Sequence, residues 1–164
     1  MLKDYLIAKV SPKAKRENEI FWKDYRITVL TDRLFRIERE KNKKFRDEAT
    51  GRVWFRDLPA QKYESVCGED KLTVKTDFVT LIVRENVEDC SVIIAGEEKS
   101  VSNAGNLLGT CRTLDVCEGN ELIDFVNNKK TEIELGLGVC SKSGVAYFDD
   151  SDSFTLLKNG ETRK

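Results

Sequence analysis

Over residues 25–30 apolar and polar side chains alternate, Thr31-Asp32 makes a polar turn, and the alternation resumes over 34–40. Tyr25, Ile27 and Val29 fall on one face of the first run and Arg26 and Thr28 on the other. Phe35 and Ile37 lie opposite Arg36 and Glu38 in the second. A period of two on both sides of a short turn is a β-hairpin pattern. Helix propensity alone would permit a helix here, but the β-branched and aromatic residues favour strands. Similar short runs follow. Val53-Trp54-Phe55 comes after Thr50-Gly51, and 62–66 is parted from 72–75 by Gly68-Glu69-Asp70. Residues 78–83 follow Thr76-Asp77, and 92–95 stops at Gly96-Glu97. Later runs are 131–137, 144–149 and 154–157, the last ending at Asn159-Gly160. Only 85–89 has the look of a helical turn. About a dozen short strands without intervening helices predict an all-β chain, a β-sandwich.

The 164 residues suit one domain with a proper core and are too few for two comfortable ones. Charged residues make up 35%, yet the formal net charge is -1, so no global basic field draws the chain to nucleic acid. The basic clusters at Lys13-Lys15-Arg16 and over 39–44 are interleaved with acids and read as solvated strand ends and turns. The apolar patch over 5–10 contains Lys9 and is too short for a secretory signal core. No run reaches the ~20 apolar residues of a membrane span. Cys67, Cys90, Cys111, Cys117 and Cys140 form no CxxC pair, and an odd number cannot all pair internally. Reduced thiols and a cytoplasmic location are therefore expected. Histidine is absent, which excludes Ser-His-Asp and Cys-His machinery and zinc ligation by imidazole. No metal site and no cofactor are expected.

Two blocks carry more than composition. The first is Asn106-Leu107-Leu108-Gly109-Thr110-Cys111-Arg112-Thr113-Leu114-Asp115. The second runs Gly138-Val139-Cys140-Ser141-Lys142-Ser143-Gly144-Val145-Ala146-Tyr147-Phe148-Asp149-Asp150-Ser151. They resemble the Asn-Leu-Gly-Gly-Thr-x-Arg-x-Leu-Asp and Gly-Leu-Leu-Ser-Arg-x-Gly-Trp-x-x-x-Asp-Asp-Ser segments of the N-terminal β-sandwich domain of family-31 glycoside hydrolases, the α-glucosidase and α-xylosidase family. Leu108 stands where that family often has Gly, Lys142 where it has Arg, and Val145 where it has Trp. Upstream, the hairpin over 25–38 resembles the family's opening hairpin. Phe45-Arg46-Asp47-Glu48-Ala49-Thr50 resembles its Phe-x-Asp-x-x-Thr piece. The four likenesses occur in order over about 20–157.

The resemblance implies a galactose-mutarotase-like sandwich (a supersandwich), which can lack its last strand at Lys164. It implies one domain over 1–164, with an N-terminal strand and linker over 1–20 and a protruding loop over 106–130. In the family this domain precedes a (β/α)8 barrel that carries both catalytic aspartates, and that barrel is absent here. The implied role is therefore non-catalytic: support of a barrel in an α-glucosidase acting on an α-linked oligosaccharide or glucoside. The expected partner is that barrel, with neither nucleic acid nor membrane involved.

On such a loop Asn106, Thr110, Arg112 and Asp115 would sit beside the sugar pocket, because a guanidinium fork and a carboxylate can bond vicinal hydroxyls. The plainer alternative is that the Asn and Asp cap the loop's own backbone while Arg112 pairs with a local acid. Glycoside hydrolysis needs two carboxyl groups flanking one bond, but among 29 acids a suitable pair arises by chance, so no catalytic residue is assigned. The stretch Asp149-Asp150-Ser151-Asp152 reads as Asx turns, because it lacks the spacing and turn Gly of an EF-hand loop. Of the aromatics able to stack on a sugar, Trp54 and Tyr147 are expected in the core and Trp22 at the surface. Cys111 and Cys117 flank the loop without a cation cluster to activate them. Two other roles fit a sandwich: a free-standing carbohydrate-binding module, and a sugar epimerase, which ranks last because such enzymes use a histidine acid.

Overall fold

The computed structural model describes residues 3, 5, 7–102, 105–109, 116–118, 120–157 and 161–163. The described chain is all-β, built from antiparallel sheets with two short 3-10 turns at Arg16–Asn18 and Val87–Asp89. It divides into two compact units, 1–100 with 149–164, and 101–148.

The first unit opens with the sheet β1 (Glu19–Trp22), β2 (Tyr25–Val29) and β3 (Phe35–Arg39). The expected hairpin is present, closing on Val29 opposite Phe35 and running back to Tyr25 opposite Arg39. All five residues of β2 are buried, however, rather than every second one. Tyr25, Ile27 and Val29 face the apolar core as the alternation predicts, while Arg26 and Thr28 lie under a second, polar layer. After β4 (Ala49–Thr50) comes a five-stranded meander. Its strands are β5 (Glu64–Cys67), β6 (Leu72–Lys75), β7 (Val79–Val83), β8 (Ser91–Ile94) and β9 (Glu97–Ser100), paired in chain order. Leu72, Val74, Leu81, Val83 and Val92 bury one face of it, at about 1.5–3 kcal/mol for each large aliphatic chain. Hydrogen bonds tie this sheet and its turns to the first one. Trp22 Nε1 donates to Gly68 O at 2.9 Å, Tyr25 OH to Glu85 O at 2.9 Å, and Thr76 Oγ1 to Asp32 O at 2.6 Å.

The turn between β8 and β9 is Ala95-Gly96, both at positive φ (51° and 85°). That is the backbone of a two-residue primed hairpin, in which glycine is at ease and alanine is strained. Val53-Trp54-Phe55, expected as a strand, makes only an isolated bridge at Phe55 to Ser11.

The second unit contains β10 (Asn106–Leu108), β11 (Cys117–Glu118), β12 (Glu121–Asp124), β13 (Lys129–Glu132) and β14 (Leu137–Ser141). β10 pairs with β14, and β11, β12 and β13 form a meander. So the span expected as a loop over 106–130 is partly strand. At the tip of the β12–β13 hairpin the Asp124 carboxylate accepts from Val126 N and Asn127 N, at 2.9 and 3.2 Å. Residues 144–149, expected as a strand, form only a bridge between Ala146 and Cys140. The chain then returns to the first unit with β15 (Thr155–Leu156) and β16 (Thr162–Arg163), which complete the sheet begun by β4. No helix among the described residues is long and apolar enough to cross a membrane.

Candidate functional site

Side-chain hydrogen bonds join the described parts of several segments singled out in the sequence. Arg26, on the polar face of β2 and 4% exposed, stands directly across from Glu38 on β3. Its Nε and Nη2 donate to the two Glu38 oxygens at 2.7 and 3.1 Å. Its Nη1 donates to Asp47 Oδ1 at 2.7 Å and to Glu19 Oε1 at 3.2 Å, and Nη2 also reaches Arg46 O at 3.0 Å. The Arg26 guanidinium also lies over the Phe45 ring, 5.0 Å from its centroid. One buried arginine thus fastens the opening hairpin to the Phe45-to-Thr50 piece. Burial works to lower its pKa, but the bonds to Glu38 and Asp47 more than offset that and hold it above the ordinary value. The neighbouring Arg36 bonds Glu38 at 2.8 Å. Burial dominates there and pushes its guanidinium down to about 10.

The last residue of that piece reaches the other end of the chain. Thr50 Oγ1 donates to Asp150 Oδ2 at 2.7 Å, and Gly51 N donates to Phe154 O at 2.9 Å. Asp149 Oδ1 accepts from Ser151 N at 2.9 Å, the Asx turn expected of this acidic stretch. Hydrogen bonding from the Ser151 side chain, and then from its backbone, holds the Asp149 carboxyl below its ordinary range. One oxygen of its neighbour Asp150, Oδ2, accepts from the Thr50 hydroxyl, so these two acids bond the protein's own backbone and hydroxyls.

In the second unit Asn106 joins the two longest blocks. Its Nδ2 donates to Gly138 O at 2.5 Å and to Tyr147 O at 3.3 Å. The backbones meet closely here: Gly109 N donates to Gly136 O at 2.6 Å. A Cβ on Gly109 would come within 2.9 Å of that same oxygen, and one on Gly138 within 3.1 Å of Leu107 O. A side chain at Gly109 would force the two backbones apart, and one at Gly138 would need Leu107 to give by a few tenths of an ångström. Of the four residues expected beside a sugar, Asn106 is committed to the β14 side of this clasp. Thr110, Arg112 and Asp115 lie outside the described residues.

Trp22 corrects its expectation. The ring is 6% exposed, stacked on Tyr25 at 6.1 Å, with its N–H satisfied by Gly68 O. It entered the core because it faces inward with Ile20 at the end of β1, a strand that the polar run Lys23-Asp24 concealed. Trp54 is the reverse: expected in the core, it is 43% exposed. Tyr147 is half-buried.

The second unit also carries an open groove of about 650 Å³ lined by Leu108, Asn120, Glu132, Ile133, Glu134 and Leu135. Asn120 Nδ2 donates to Glu132 Oε1 at 2.9 Å, which occupies one of the two carboxylates. Cys67 and Cys140 are exposed free thiols, and Cys90 is buried, which pushes its thiol pKa up. Among the described residues no group of three or more Cys, Asp or Glu side chains is placed to hold a metal ion.

No model of a known protein family matches the chain, and no curated protein matches it.

Proposed function

We propose that this chain is the N-terminal, galactose-mutarotase-like β-sandwich domain of a family-31 glycoside hydrolase, and that it supports a catalytic (β/α)8 barrel without performing chemistry itself. One observation carries the reading: the segments that resemble the family are bonded to each other in pairs. Arg26 joins the opening hairpin to Asp47, Thr50 joins that piece to Asp150, and Asn106 joins the Asn-Leu-Leu-Gly block to Gly138. Chance likenesses scattered over a chain have no reason to meet in this way. A non-catalytic role is supported by the use of Asp149, in the densest acidic stretch, for a turn of the chain's own backbone. The barrel would supply both carboxyl groups of the reaction, and the 106–115 segment would approach its sugar pocket.

The test is the reading frame beyond the Lys164 codon. An in-frame barrel with two catalytic aspartates is expected; an unrelated downstream domain would overturn the reading. In the joined protein, alanine at Arg112 or Asp115 raises KM for an α-glucoside if that loop touches substrate, and leaves it unchanged if it does not.

A second reading, a free-standing carbohydrate-binding module, is favoured by the exposed ring of Trp54. Trp22 is buried, so a fluorescence change on titrating malto-oligosaccharides into the chain would report Trp54. A flat titration counts against this module.

A further inference from the structure

Arg56 is 1% exposed, and its hydrogen bonds are one-sided. Nη1 donates to Pro12 O at 3.1 Å and to Glu48 O at 2.9 Å, whereas Nε and Nη2 are buried with no protein acceptor. Nε and Nη2 form one edge of the guanidinium, the edge with which Arg26 grips Glu38. Asp150, near enough for its charge to act on the Arg56 guanidinium, shows the complementary deficit. Its Oδ2 accepts from Thr50, while its Oδ1 is buried with no protein donor. Arg56 is anchored on Glu48 O and Asp150 on Thr50 Oγ1, two residues further along the chain. A buried donor or acceptor left unpaired pays its full desolvation cost, so such groups are nearly always satisfied.

We propose that Arg56 and Asp150 share an internal hydration site, in which a water accepts from the Nε/Nη2 edge of Arg56 and donates to Asp150 Oδ1. The bound species must accept on one side and donate on the other. An anion satisfies the arginine edge but brings negative charge against the Asp150 carboxylate, and a cation does the reverse. Water does both and is the usual occupant of small polar interior sites with two to four partners. The consequence is structural. The water joins the segment around β4 to the Asp149-Asp150-Ser151 turn, beside the direct bond from Thr50.

A crystal structure of the whole chain, at a resolution that shows ordered water, tests this. The expected result is one water within hydrogen-bond distance of the Arg56 edge and of Asp150 Oδ1. A direct Arg56–Asp150 ion pair, or a dry contact, overturns the proposal. So does an anion, which crystals soaked in bromide would reveal by anomalous scattering. In solution, oxygen-17 relaxation dispersion should count one fewer long-lived water in Arg56→Lys, which keeps the charge but loses the edge. An unchanged count in the folded variant also overturns the proposal, and if that variant does not fold the wild-type crystal structure decides.

Discussion

Arg26 and Glu38 face each other across the first hairpin and are joined by two parallel hydrogen bonds, at 2.7 and 3.1 Å. The pair is nearly sealed from water, with side chains 5% and 14% exposed. Glu19 and Asp47 share the same guanidinium. Removing the arginine would take away the buried guanidinium that Glu19, Glu38 and Asp47 share, leaving Glu38 with Arg36 and Glu19 with the exposed Arg16. Arg26→Met should therefore cost about 3–5 kcal/mol, the usual penalty for breaking a buried pair from one side. Urea unfolding measures it. A loss below about 1 kcal/mol would mean the cluster behaves like a surface ion pair.

The clasp between β10 and β14 depends on two backbones approaching without side chains between them. Gly109→Ala places a methyl 2.9 Å from Gly136 O and should cost about 1–3 kcal/mol, as overpacking does. Gly136→Ala is the matched control, because nothing lies within 4 Å of its would-be Cβ. Equal unfolding midpoints for the two variants would contradict the close approach.

Tyr25 makes stability depend on alkaline pH. Burial raises its phenol to about 12, while the unfolded chain has it near the ordinary 10.0 of a tyrosine. A raised pKa means that the folded state holds the proton more tightly. The contribution is complete below pH 10 and is lost as pH climbs from there through 12. Unfolding midpoints should fall over that window in the wild type. In Tyr25→Phe that component should vanish, although the bond to Glu85 O is lost at every pH.

How much of this was legible in the sequence follows from where each residue's partner lies. The β2–β3 hairpin and β6, β7 and β8 announce themselves by alternation, because one face of each packs on apolar neighbours. β9 is silent: Glu97-Glu98-Lys99-Ser100 is a charged edge strand with no apolar face to display. Val53-Trp54-Phe55 has strand-like composition but lies beside the N-terminal segment, so two large rings remain exposed. The polar layer over β2 was hidden for a different reason. Arg26 and Thr28 occupy the face that alternation assigns to solvent, and the carboxylates covering it arrive from 19, 38 and 47. One signal was available: the hairpin register that follows from its turn puts Arg26 opposite Glu38. Asn106 stands out in the sequence as one residue of a family-like block, but its partner 32 residues away could come only from the fold.

The most direct measurement is hydrolysis of p-nitrophenyl α-glucoside by three purified proteins: this chain, the barrel that the proposed function places in frame with it, and the two joined. The account predicts no turnover by the chain, full turnover by the joined protein, and a barrel that alone is poorly folded or weakly active. Turnover by residues 1–164 alone, or a solitary barrel with unchanged kcat and KM, would contradict it.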